Sequence, residues 1–492
     1  MNCIAAYDFG TSAVKAVLVN EKGTILAIRE KSYPLLKPKP LYVEQDPKDF
    51  WEAVCEVTKG VLADAKTAPE AVKGISFSVQ AVTLIPVDRD GQVLCHAISW
   101  LDGRAEAQAE KINTRCGGPV VRSQDYQARI LWLKEEEPEL YEKTAYFLEC
   151  DGFLQYKCTG IMAVDRDHPG ILKRHPAIQE YYDQTLADVD GEKLPPMVEA
   201  CERYGVLDEK GAEELGLVPG IPVFGGMIDV PAAAAGCGCI RAGDAHIYLG
   251  SSGWLSAMID RPYETSEGTY QLNSITPGLM IYGGCTNSCC MMQNWAIDCF
   301  YAREHEELGD GIFDWLAVEM ERVPAGCDGL YAAPWLFGEQ FPIADPRIRA
   351  LFFNIEEKHT RAHFMRAVLE SLCFSMRGQI DIYKKDTGLA VTEVGANGGG
   401  AQSAFWMQMM ADVLQVPVHV PEAARHSGAV GAALAAAIGL GWCGLENIDD
   451  FVRTEHSYHP RKELAALYDQ KYRRWKRLYE CIRELSWEIN KE

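Results

Sequence analysis

A chain of 492 residues exceeds what one hydrophobic core organises, so two domains of roughly 200 to 250 residues are expected. With 48% hydrophobic and 24% charged residues it has the make-up of a packed globular protein, not of a disordered or fibrous one. A formal net charge of −22 argues against a nucleic-acid partner, because binding to polyphosphate needs a basic face that releases counterions.

The first residues, MNCIAAYDFGTS, contain no basic segment followed by an apolar one, so no secretory signal is read there. Seventeen cysteines without a C-x-x-C pair fit reduced thiols, and a cytoplasmic protein is expected. CIAAYDFG, TSAVKAVLVN and ILAIREK alternate as a β-hairpin with a returning strand, turning at EKGT. DPKDFWEAVCEVTKGVLADAK reads as a helix capped by Asp46 with Pro47 in its first turn. Strands follow at VKGISFSVQ, TLIPVD and AISWLDGR. Near residue 244 the pattern restarts, after the turn Ala242-Gly243-Asp244, with a second hairpin, AHIYLGSSGWLSAMI. The expected lobes are therefore 1–243 and 244–492.

Farther along, Met365, Val368, Leu369, Leu372 and Met376 recur at helical spacing. The stretch SGAVGAALAAAIGLGW, 16 residues of mostly small side chains, is too short for the roughly 20 of a membrane span and reads as a buried helix. In the tail, Leu464, Leu467, Trp475, Leu478, Ile482 and Leu485 gather near one face, which is expected to pack on the second lobe and not on a membrane. Cys285, Cys289 and Cys290 cluster in GGCTNSCC, but without a neighbouring His or a second pair they read as small buried residues and not as a zinc site.

The chemistry concentrates in two turns of one design. Asp8-Phe9-Gly10-Thr11-Ser12 and Gly250-Ser251-Ser252-Gly253 each follow an apolar strand, and in each a glycine lets the backbone turn tightly and approach a ligand. Such turns aim N–H groups and hydroxyls at an anion. Neither G-x-x-x-x-G-K-[ST] nor a G-x-G-x-x-G leaving a strand occurs, which disfavours a single-loop phosphate site and a dinucleotide site.

Paired hairpins of this kind resemble the actin, Hsp70 and sugar-kinase superfamily, and over nearly its whole length the sequence resembles the FGGY family of carbohydrate kinases, in its xylulokinase-like branch. DFGTSAVKAVLVNEKG is similar to the family's first phosphate motif and AHIYLGSSGW to its second. GGMIDVPAAAAGCG stands where the family has a glycine-rich strand ending in its catalytic aspartate, here Asp229. EVGANGGGAQSAFWMQMMADVLQVPV is similar to the adenosine motif, with Gly399, Gly400 and Ala401 approaching the nucleotide and Ser403 and Trp406 following.

The resemblance implies an α/β fold of two ribonuclease-H-like lobes around an ATP cleft, a small sugar or polyol as substrate, and Mg2+ as the metal. Phosphoryl transfer to a hydroxyl needs donors on the phosphates, a metal that neutralises charge, and a carboxylate to take the proton. Asp229 suits the base. The metal would lie by Asp8 and Asp229, the phosphates by Gly10, Thr11, Ser12, Gly250, Ser251 and Ser252, with Lys15 either adding charge or remaining a solvated strand residue. Gln80, Trp100, Asp102, Arg104 and Asp229 lie where the family builds its sugar pocket.

The sugar side departs from the family pattern. Ala81-Val82 replaces Met-His, Val230 replaces an amide, and Asp167, His168 and Pro169 replace a serine-rich stretch in which only Asp165 is retained. Elsewhere Asn354 stands for a glycine, His426 for a glutamate and Arg129 for a lysine. The expected activity is ATP-dependent phosphorylation of a small sugar or polyol, a ketopentose such as xylulose being the expected class. The alternatives are an actin- or Hsp70-like nucleotide switch and a catalytically weak sugar sensor. Dimers are frequent in the family, so assembly is left open between monomer and homodimer.

Overall fold

The structure, a computed structural model, describes residues 1–118, 120–165 and 183–491. It divides into two compact units, Met1–Gly236 with His426–Val452, and Cys237–Arg425 with Arg453–Glu492.

The first unit is built on a mixed sheet of β1 (Cys3–Phe9), β2 (Ala13–Asn20), β3 (Ile25–Ser32), β4 (Val72–Val79), β5 (Arg203–Val206), β6 (Pro222–Phe224) and β7 (Met227–Ile228). Its order is β5-β6-β4-β1-β2-β3, with β7 also paired to β4. β1, β2 and β3 are antiparallel, while β4 runs parallel to β1 and β6 parallel to β4. Strand β1 is buried at every position except Asp8, which fits a strand covered on both faces. The helix Pro47–Asp64 packs on β2 and β3, its first turn capped by Asp46, whose carboxylate accepts from the Lys48 N–H.

The second unit repeats the design with β8 (Ala245–Leu249), β9 (Gly253–Ile259), β10 (Thr269–Asn273), β11 (Met280–Thr286), β12 (Val394–Asn397), β13 (Val418–Pro421) and β14 (Thr454–Tyr458). Its order is β10-β11-β9-β8-β12-β13-β14. An antiparallel set β8, β9, β11 matches β1, β2, β3, and β12 and β13 run parallel beside β8 as β4 and β6 do beside β1. The half-chain echo in the sequence is thus an echo of topology. Met365, Val368, Leu369, Leu372 and Met376 are all buried in the helix Arg361–Thr387.

Two features depart from the sequence reading. The expected lobe 244–492 does not anticipate that 426–452 returns to the first unit, where the helix Ser427–Gly439 packs on the helix Asp229–Ala235, β1 and β4. The small residues of the two helices have a packing cause. A Cβ on Gly431 would come within 1.9 Å of Ala232 O, and one on Gly236 equally close to Ser427 O, so the backbones touch. In the terminal helix Ala465–Ile489 the buried face is Tyr468, Lys471, Tyr472, Trp475 and Leu478, whereas Leu467 and Leu485 are exposed. Rings and a lysine stem supply the apolar surface there, and Trp475 donates to Ala332 O within the same unit at 2.8 Å. Among the described residues no helix is long and apolar enough to cross a membrane.

Candidate active site

Sheet register assembles the first unit's site. Asp8 on β1 lies opposite Lys15 on β2 and opposite Ser78 on β4, so the same pleat presents all three side chains together. Lys15 Nζ is 4.0 Å from Asp8 Oδ2, and Ser78 Oγ donates to Asp8 Oδ1 at 3.4 Å. The Asp8 side chain keeps a quarter of its surface exposed. Burial pushes its carboxyl up from the ordinary value, against the opposing pull of the Lys15 charge and the Ser78 hydroxyl.

Asp229 is the first residue of the helix Asp229–Ala235, immediately after β7, which pairs with the end of β4 at Ser78 and Val79. Its Oδ1 accepts the Val230 N–H at 2.9 Å. Burial first, and then the neighbouring Asp8 charge, push the Asp229 carboxyl up to about 6. The N-terminal turn of the helix Ser427–Gly439 closes over Asp8: a Cβ on Gly428 would stand 2.9 Å from Asp8 Oδ1 and 3.2 Å from Ser78 Oγ. Neither Gly428 nor Ser78 is legible from the sequence as part of this site, because only the return of the late helix and the parallel register bring them there.

The turn after β1 is held from beneath. Gly10 N–H donates to Ala13 O, Tyr33 N–H donates to Ser12 O and the Tyr33 hydroxyl donates to Gly10 O. Gln45, fully buried and absent from the sequence reading, donates to Thr11 O at 2.8 Å and accepts from Gln80 Nε2 at 3.1 Å. Trp100 Nε1 donates to Thr11 Oγ1 at 2.9 Å while the residue remains 42% exposed beside the turn. Gln80 is 4% exposed and among the described residues its Oε1 has no partner, so a buried acceptor awaits a donor.

Asp102 and Arg104 are brought to the same neighbourhood, yet their polar atoms are engaged. Asp102 accepts from Val43 N–H and from the Arg104 guanidinium at 2.7 and 2.8 Å, and Arg104 also reaches Glu44 and stacks on Tyr42. Arg129, fully buried, grips the carbonyls of Val82, Ile98 and Ser99, and burial pushes its guanidinium down to about 10. Asp165 is buried and donates its N–H to Asp151. Asp167, His168 and Pro169 lie outside the described residues. A groove of about 840 Å3 lined by Trp51, Tyr156, Lys157 and Glu214 contains none of the candidate residues.

In the second unit, Gly250, Ser251 and Ser252 form the turn between β8 and β9, with Gly250 N–H donating to Ser252 O at 3.0 Å and Ser251 exposed. Tyr248 stacks on Trp254 across this hairpin at 4.0 Å, and a Cβ on Gly250 would strike the Tyr248 ring at 2.4 Å. Beyond β12, Gly398 takes a φ of +85°, and a Cβ there would stand 2.6 Å from Leu249 O. Gly399 is exposed with open space around it, whereas Gly400 and Ala401 are buried. Ser403 caps the helix Ala404–Leu414 by accepting from Trp406 N–H, and Trp406 is fully buried.

Two ribonuclease-H-type units, each with a Gly-hydroxyl turn after its first strand, and one of them with paired aspartates, define a phosphotransferase of the actin and sugar-kinase type. The FGGY carbohydrate-kinase N-terminal domain matches residues 3–236 and its C-terminal domain residues 246–440. The chain belongs to the FGGY family of carbohydrate kinases. It is 29% identical to the xylulose kinase of Bacillus subtilis, over 99% of this chain and 98% of that one. With the gluconokinase of Bacillus licheniformis it shares 26% identity over 94% and 92% of the two chains. The solved xylulose kinase of Rhodospirillum rubrum superposes with a TM-score of 0.85 at 26% identity, covering 99% of this chain and all of the other.

Proposed function

We propose that this chain transfers the γ-phosphoryl group of ATP to a hydroxyl of a small sugar, a ketopentose such as xylulose being the class supported, with Mg2+ as the metal. The observation that carries the reading is the Asp229 carboxyl, pushed up to about 6 by burial and by Asp8, at the head of a helix in the first unit. A carboxyl in that range is ionised at neutral pH and still basic enough to take a proton from an attacking alcohol.

The residues present fit the groups they would hold. The partly exposed Asp8 carboxylate offers hard oxygens of the kind Mg2+ prefers, with the Lys15 ammonium 4.0 Å from it. Bound MgATP supplies the phosphoryl group and neutralises the charge that develops on it. The turn Gly10–Ser12 offers hydroxyls and backbone donors, with its shape fixed by Tyr33 and Gln45. In the second unit Ser251 and Ser252 would do the same, and Gly399 leaves room for the nucleoside.

On the sugar side, Gln80 Oε1 accepts a substrate hydroxyl and the Trp100 ring covers C–H groups. Asp102 and Arg104 act through the wall they build. Because Ala81, Val82 and Val230 offer no side-chain hydrogen bond, the pocket discriminates weakly at those positions, and sugars beyond xylulose fall within its range.

The test is ADP release across ketopentoses, aldoses, polyols and gluconate, run beside Asp229→Ala. Turnover raised by one of these substrates and reduced about 100-fold or more in the variant supports the reading. Equal substrate-stimulated turnover in the two proteins refutes Asp229 as the base.

A further inference from the structure

Cys289 and Cys290 are wedged under the second unit's phosphate turn. Cys289 N–H donates to Ser251 O at 3.0 Å, Cys290 N–H to Gly250 O at 2.9 Å, and Met291 N–H to Ser251 O at 3.3 Å. Cys290 Sγ lies 3.6 Å from Leu249 O, the residue before the turn. A Cβ on Gly253, at the turn's far end, would stand 3.1 Å from Cys289 Sγ. The turn is therefore in contact with this dipeptide from end to end, and a group added to either sulfur would be added to the turn itself.

The two thiols are not equivalent. Cys289 is fully buried, whereas Cys290 is partly exposed and opens the eleven-residue helix Cys290–Phe300. The first N–H groups of this helix are spent on the turn and on Cys289 O, but the positive end of the helix dipole still favours a thiolate there. The Cys289 thiol and the Gly400 N–H both donate to the Cys290 sulfur and draw its pKa below the ordinary value, while Cys289 is pushed well above it. The more acidic sulfur is also the more accessible one.

We propose that Cys290 is a thiol-modification site through which soft electrophiles and small disulfides disable the second unit's phosphate turn, and that bound nucleotide shields it. The proposal rests on the reading of that turn as a phosphate site. With a small disulfide such as glutathione disulfide, the Cys290 thiolate attacks one sulfur. The S–S bond breaks, a mixed disulfide forms on Cys290, and the other half leaves as a thiolate. Closure onto Cys289 is disfavoured, since adjacent Cα atoms stand about 3.8 Å apart and unstrained disulfides span about 4.4 to 6.8 Å. The product is a single adduct, reversed by an added thiol.

The experiment uses the full chain with Cys299→Ser and Cys481→Ser, which removes the two exposed thiols. N-ethylmaleimide labelling is followed by peptide mass spectrometry with and without saturating MgADP. ADP binding is measured by calorimetry before and after labelling, with circular dichroism as the check on folding. The expected result is labelling of Cys290 at least tenfold faster than of buried Cys327 or Cys373, slowed at least tenfold by MgADP. ADP affinity should fall at least tenfold in protein that is still folded. Glutathione disulfide should produce the same loss, reversed by dithiothreitol. In Cys290→Ser the ADP affinity, whatever its level, should no longer respond to either reagent. Failure of Cys290 to label, labelling without loss of affinity, or labelling unaffected by ADP that calorimetry shows to be bound would each overturn the proposal. If the unmodified chain binds no ADP at all, the phosphate-site reading falls instead, and the shielding falls with it.

Discussion

Replacing Asp229 by Asn should abolish turnover and stabilise the protein in the same stroke. The carboxyl stands at about 6 in the folded chain against an ordinary 3.8, through burial and the Asp8 charge. A raised folded value means that the folded state holds its proton more tightly than the unfolded one. No penalty exists below about pH 4, where both states are protonated; it grows as pH rises toward 6 and is fully present above that. Raising a carboxyl from 3.8 to about 6 corresponds to about 3 kcal/mol, trimmed to roughly 2 because the side chain is partly exposed. Asn removes the charge at nearly constant volume and can still accept the Val230 N–H. In urea unfolding without nucleotide, Asp229→Asn should therefore exceed the parent by roughly 2 kcal/mol at pH 8, about 4 to 8 °C in Tm, with the difference vanishing near pH 4. In an Asp8→Asn background the gain should shrink, since one source of repulsion is gone. A difference independent of pH, or a variant less stable at pH 8, would refute the account of Asp229 as a strained, desolvated carboxylate.

Three further outcomes follow from the same geometry. Gly428→Ala places a methyl 2.9 Å from Asp8 Oδ1, an overpacking of roughly 1 to 3 kcal/mol; the Mg2+ concentration for half-maximal turnover should rise several-fold, and direct Mn2+ titration should weaken in parallel. Lys15→Met removes the cation 4.0 Å from Asp8 and lets its pKa rise further; the acid limb of the kcat/KM profile should move to higher pH. Trp100→Phe keeps a ring but loses the bond to Thr11 Oγ1, worth about 1 kcal/mol, and should cost roughly fivefold in kcat/KM, whereas Trp100→Ala should cost more and chiefly through the sugar KM.

The hairpins are legible in the sequence because their information is local. Short apolar runs mark the strands, and Gly10 and Gly250 mark where each must turn. The helix Ser427–Gly439 is legible as buried but not as belonging to the first unit, since an Ala-Gly helix without periodicity carries no sign of which neighbour it touches. The terminal helix reads with its face displaced because apolar counting discounts Tyr468, Lys471 and Tyr472, which the packing buries. Cys289 and Cys290 read as small residues, and nothing in their spacing discloses that their N–H groups close on Gly250 and Ser251.

The same distinction explains why the proposed sugar pocket resists reading from sequence. Its wall is assembled from residues far apart in the chain, and it is kept in shape by buried charge. Val82, which stands where the family resemblance has an imidazole, adopts a φ of +60°, a conformation that costs a β-branched residue roughly 1 to 3 kcal/mol. Its N–H is held by the Glu149 carboxylate at 2.8 Å and its carbonyl by the Arg129 guanidinium, both fully buried. Arg129 reaches onward to Ser99 O, immediately before Trp100. One buried cation thus ties the strained backbone at Val82 to the segment carrying the indole. Substitutions at 81 and 82, in the wall of the proposed pocket, can therefore be accommodated while the scaffold behind them holds Gln80 and Trp100 in place.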